Sequence, residues 1–213
     1  TGRQGFYLLA AAPAAGFVWL LTQLPHVFAL QEALDAGRPV PASAARLDRA
    51  VPWVPYLETE LAFRMDVLAA FMSLIVLGVG ALVLAYCARY FREHEPRNAV
   101  FGGQLLAFAG AMFGLVTTDD LMVLYTFWEI TSVLSFLLIG YSGHRIFARR
   151  SAITALIVTT FGGLAMLAGL IMLAHFAGSW RISGVLEAAP ALMADAGLRG
   201  LLEVAVALVL IGA

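Results

Sequence analysis

Long apolar runs separated by short polar links set the pattern of this chain. Residues 6–30, 61–86, 99–116, 119–141 and 153–176 are each predominantly apolar. A helix rises about 1.5 Å per residue, so about 20 such residues cross a hydrocarbon core roughly 30 Å thick. Each run therefore predicts one spanning helix. A sixth run opens at Leu201 and is cut at Ala213. The expected fold is an all-α, polytopic transmembrane helix bundle: five complete spans plus a truncated sixth, in one membrane domain over residues 1–213. Pro13 and Pro25 fall inside the first run. Membrane helices tolerate proline where neighbouring helices satisfy the freed carbonyls.

The links differ in character. Residues 31–60 carry Pro39, Pro41, Pro52 and Pro55 with mixed charge, and read as a loop. From Val51 to Phe63 the chain is rich in aromatic and β-branched residues, which predicts a short extended or hairpin element over the membrane surface. Trp53 and Tyr56 suit the headgroup level. Arg64 and Asp66, at the entry of the second run, are expected to reach out to the interface. Residues 88–98 and 142–150 are short and basic, and residues 177–200 read as a longer polar loop. Arg3, then Arg89, Arg92 and Arg97, then Arg145, Arg149 and Arg150 fall on one side of the membrane in short segments. The other six arginines are spread over the two longer loops among acids. Short basic loops stay in the cytoplasm. The N-terminus is thus expected to be cytoplasmic and loops 31–60 and 177–200 external.

Composition agrees with the pattern. The chain is 62% hydrophobic and 13% charged, with a mean hydropathy of +0.88, against about 45–50% and 25% in soluble domains. That excludes a soluble enzyme, and a net charge of −1 gives no electrostatic case for nucleic acid. Cys87, the lone cysteine, cannot form an internal disulfide and reads as a buried thiol. No metal-ligand cluster, phosphate loop or nucleophile–base set appears, so no cofactor is expected. The chain starts at Thr1 without methionine and stops within an apolar run, which reads as a piece of a longer membrane protein.

One residue breaks the apolar pattern where it costs most. Glu129 lies ten residues after Asp119 in the fourth run, roughly 15 Å along a helix and so near the midplane. A charge at a helix centre costs roughly 2.5–3.5 kcal/mol on insertion scales. Intramembrane acids usually face a protein interior or a water-filled cavity, often on ion or proton pathways. A permanent hydrogen bond to a neighbouring helix is the other role such a residue can fill. Tyr125, Thr126 and Ser132 share its helical face, and Thr131 and Ser135 add hydroxyls that could hold water or merely bond their own carbonyls. Upstream, Thr118, Asp119 and Asp120 form a capping set for the helix of Glu129. Gly110 and Gly114 in the third run allow a close helix approach.

The stretch Tyr125-Thr126-Phe127-Trp128-Glu129, continuing through Ser135-Phe136-Leu137-Leu138-Ile139-Gly140-Tyr141, resembles the antiporter-like membrane subunits shared by respiratory complex I and the Mrp (Mnh/Sha) multisubunit cation/proton antiporters. Residues 61–66, the Thr118-Asp119-Asp120-Leu121 turn and residues 158–165 extend the resemblance over nearly the whole chain. Within that family the chain is most similar to the A-type Mrp subunit. Where the large complex I subunit tends to carry Lys, Arg and Asp after the glutamate helix, Thr154, Thr160 and Gly163 stand here. The resemblance implies a membrane subunit of a Na+/H+ antiporter in a bacterial cell membrane, with Glu129 on the ion pathway and H+ and Na+ as transported ions. It implies other antiporter subunits as partners in the bilayer, and a lysine partner for Glu129 on the helix that opens at Leu201, beyond residue 213. It also implies one further span before Thr1. A redox-linked proton pump of complex I and a structural scaffold without transport are the alternatives.

Overall fold

The computed structural model describes residues 3–38, 48–54, 59–91, 97–142 and 146–213. Residues 92–96 and 143–145 of the basic links and the apex of the outer loop, including Tyr56, His94 and Arg145, lie outside the described residues. Helix α1 spans Arg3–Asp35, strand β1 Asp48–Val54 and strand β2 Thr59–Arg64. Helices α2 Val67–Tyr90, α3 Asn98–Thr117 and α4 Leu121–Ile139 follow, the last ending in a 3-10 turn at Gly140–Ser142. Helices α5 Ile146–Ala177, α6 Ile182–Ala194 and α7 Ala196–Gly212 complete the chain. Among the described residues, five helices, α1 to α5, are long and apolar enough to cross a membrane. The molecule is a multi-pass membrane protein.

The helices pack mainly in sequence: α1 on α2, α2 on α3, α3 on α4, α4 on α5, and α5 on α7. Leu20, Val27, Ala69, Ala70 and Leu77 form the seam of α1 with α2, and Phe6, Ala10, Leu84 and Cys87 continue it toward the opposite end. Leu121, Met166, Leu170 and Ala174 join α4 to α5. At the end of α4, Tyr141 donates a hydrogen bond to the Asn98 side chain at 3.2 Å, and its ring meets Phe91 and Phe101 edge-on.

Several boundaries depart from the apolar runs. The first helix continues five residues past Leu30, where Ala33 stays buried and Gln31 bonds Asp35 at 2.9 Å. The second run, from residue 61, begins as strand: β1 and β2 pair antiparallel, with Arg49 opposite Phe63 and Val51 opposite Leu61. Asp66 is not simply interfacial, because its carboxylate caps α2 by accepting the Ala69 N–H at 2.8 Å. Residues 177–200 are not a loop throughout: they hold α6, and α7 opens at Ala196, five residues before Leu201.

Glycines set the closest helix approaches. Gly114 lies under the Phe127 ring of α4, whereas Gly110, its expected companion, faces open space. On α5, a Cβ at Gly169 would meet the Ala205 carbonyl at 2.5 Å and one at Gly162 the Gly212 carbonyl at 3.0 Å. The backbones of α5 and α7 are therefore nearly in contact at two points seven residues apart.

Candidate functional site

The α3–α4 turn at 117–120 is almost fully buried. Thr118 closes α3, its N–H donating to the Gly114 carbonyl at 3.0 Å. Its hydroxyl donates to the Ala62 carbonyl of β2 at 3.2 Å and accepts the Asp120 N–H at 3.3 Å. Asp120 is the residue that caps α4: one oxygen accepts the N–H groups of Met122 and Val123, both at 2.9 Å. Burial pushes the Asp120 carboxyl above the ordinary aspartate range. The backbone N–H groups of Val123, Met122 and Glu60 counter this in part, and the charge of Asp119 adds to the rise.

Asp119 caps a different helix. Its carboxylate accepts the Ser183 N–H at 2.9 Å and the Ser183 hydroxyl at 2.7 Å, so it sits at the start of α6, 64 residues away. Its own N–H donates to Ala62 at 2.8 Å, and its carbonyl accepts the Ile182 N–H at 2.8 Å. The Leu121 N–H donates to the Trp180 carbonyl at 2.9 Å, and Arg181 pairs with Glu60 at 3.4 Å. Of the three residues expected to cap α4, Thr118 and Asp119 therefore bind elsewhere. Together they stitch the hairpin, the head of α4 and the head of α6 into one knot.

Glu129 is the ninth residue of α4, about 12 Å below that knot. It is half-buried and faces α5 at Gly163, where any Cβ would collide with its Oε1. The Tyr125 ring borders the same glycine, at 3.9 Å from the Cβ position. Oε1 is buried and has no hydrogen-bond partner among the described residues. The same holds for the indole N–H of Trp128, whose ring packs on the core shared by α4 and α5.

The hydroxyls around Glu129 divide. Thr126 donates to the Met122 carbonyl at 2.8 Å and Thr131 to the Trp128 carbonyl at 2.7 Å, both within α4. Ser132 and Ser135 are half-buried and have no hydrogen-bond partner among the described residues. Of the α5 positions singled out by resemblance, Gly163 meets Glu129, while Thr154 and Thr160 are exposed. Gly163 as the seat of the acid was missed in the sequence. A glycine beside another glycine in a membrane helix gave only a packing signal, with nothing to say which neighbour each faces.

Two family models match the chain. One, described as NADH:quinone oxidoreductase/Mrp antiporter, TM, covers residues 118–213. The other, described as NADH-Ubiquinone oxidoreductase (complex I), chain 5 N-terminus, covers residues 53–101. A probable A/B-type subunit of a K(+)/H(+) antiporter of Rhizobium meliloti is 40% identical over 72% of this chain and 15% of its own length. The A-type subunit of a Na(+)/H(+) antiporter of Alkalihalophilus pseudofirmus is 38% identical over 66% of this chain and 18% of its own. The chain thus spans less than a fifth of the length of either relative. A chain in the Mrp complex structure from Dietzia sp. DQ12-45-1b superposes with a TM-score of 0.68 at 29% identity, over 97% of this chain and 23% of that one. The chain belongs to the NADH:quinone oxidoreductase/Mrp antiporter family of membrane subunits, on the side of the A-type Mrp sequences.

Proposed function

We propose that this chain is part of an A-type subunit of a multisubunit Na+/H+ antiporter and supplies an ion pathway centred on Glu129. The observation that carries the reading is the carboxyl oxygen buried against Gly163 without a fixed partner. A carboxyl in low-dielectric surroundings is neutral when alone and charged when a cation comes near. An acid locked to a neighbour could not alternate between those states; one with a free oxygen can load and release a proton as a mobile positive group approaches and leaves. Coupling that cycle to a cation moving the other way is antiport. The role is that of a secondary transporter component in the cell membrane, assembled with other antiporter subunits, rather than a catalytic one.

Glu129→Gln in the complete antiporter complex tests this. Sodium-driven proton movement in vesicles is expected to fall to background with assembly intact, and the same assay with potassium reports which cation is exchanged. Normal exchange by the assembled variant would remove Glu129 from the pathway. Exchange driven by ion gradients alone, without NADH or quinone, also separates this reading from a redox-driven pump.

A further inference from the structure

We propose that the cleft between the hairpin and helices α1 and α3 binds the headgroup of an anionic phospholipid. The cleft has a volume of about 390 Å³, and its apolar lining is Trp19, Phe63, Met65 and Phe113. Its polar edge is formed by Gln23, Arg49, Arg64 and Thr117. Its upper edge lies where two spans end, Met65 being two residues before α2 and Thr117 the last residue of α3, while Trp19 and Gln23 carry it down along α1 into the span. An aromatic wall beside polar side chains at that level is the setting of a membrane–water interface.

Charge selects the ligand class. Among the described residues, no carboxylate lines this cleft, whereas the neighbouring one, which Arg64 also borders, holds Asp66 and Asp119. Those two acids are engaged by Ala69 and Ser183. Asp48 stands opposite Arg64 in the strand register, yet neither Arg49 nor Arg64 forms an ion pair with an acid among the described residues. Thr117 spends its hydroxyl on Phe113 at 2.8 Å. Two arginines without carboxylate partners beside an apolar wall suit a phosphate with acyl chains below it. Guanidinium groups bind phosphate oxygens through paired N–H donors, and basic side chains near a membrane surface attract anionic lipid. The size fits a small-ligand cleft rather than a protein-sized groove.

The test uses the complete complex in vesicles containing acyl-brominated phosphatidylglycerol or acyl-brominated phosphatidylcholine, whose bromines quench nearby tryptophan. The difference from Trp19→Phe isolates the signal of Trp19. Phosphatidylglycerol is expected to quench Trp19 at several-fold lower mole fraction than phosphatidylcholine. R49Q/R64Q should cut that preference by about fivefold per arginine, and R49K/R64K should keep most of it. R49Q alone, on an exposed strand position, provides a variant whose fold is not at stake. Equal quenching by the two lipids, a preference untouched by R49Q and R49Q/R64Q, or no quenching because protein covers the cleft would each overturn the proposal. Loss of the preference in millimolar inorganic phosphate would make this a phosphate site and overturn the lipid assignment.

Discussion

At the scale of single residues, the balance around Glu129 rests on an absent side chain. Gly163 is buried, and the space a methyl group would fill there holds the carboxyl oxygen. Gly163→Ala must push Glu129 aside or part α4 from α5. Exchange is expected to fall on the order of a hundredfold, the cost of a misplaced reacting group, in a complex that still assembles. Gly110→Ala, at a site with open space, should leave exchange near that of the unaltered complex in the same assay. The place of Glu129 near the middle of α4 was legible, because a carboxylate ten residues from an aspartate at the start of an apolar run falls halfway along the helix. The seat was not legible, because which helix faces an acid depends on packing angles that a linear pattern does not encode.

At the scale of elements, the turn at 117–120 shows how polar groups in one short segment serve three partners. Asp120→Ala should cost about 1 kcal/mol by uncapping α4, and Asp120→Asn less, since asparagine also caps well. The sign of the pH effect follows from burial. The folded state holds the Asp120 proton more tightly than the unfolded chain does, so its contribution to stability is full below the ordinary aspartate value and is lost as pH rises through the elevated one. Thermal melting of the purified complex across that acidic window should show this slope, and Asp120→Asn should flatten it. The same turn explains why α6 escaped the sequence reading. Arg181 stands at its N-cap position with no capping side-chain bond, Pro190 lies inside it, and the cap comes from Asp119 in a distant turn. Local signals for a helix start were absent because the start is specified elsewhere in the chain. The spanning helices needed no such help. Twenty apolar residues in hydrocarbon have few ways to satisfy their backbone other than a helix, which is why α2 to α5 were readable apart from their ends.

At the scale of the molecule, the sequential packing of α1 to α5 places the hairpin, the 117–120 knot and α6 at one end of the bundle and the arginine-rich links at the other. The arginine asymmetry predicts that the knot faces outward. A cysteine replacing Ala36, just past α1 at that end, should react with a membrane-impermeant thiol reagent in intact cells. One replacing Ala99, beside Arg97, should react only after permeabilisation. The reverse pattern would invert the orientation. The two ends also differ in how they are held: hydrogen bonds from backbone and aspartate at the knot, and a cluster of aromatic rings around Phe91 and Tyr141 at the other.

Gly162 and Gly163 are consecutive, yet one touches α7 at Gly212 and the other touches Glu129 on α4. At this depth α5 is therefore a wall of bare backbone, with no side chain toward either α7 or Glu129. A positive charge on the far side of that wall would act on the acid through bare amide dipoles instead of through a layer of hydrocarbon side chains, and its pull would be correspondingly undamped.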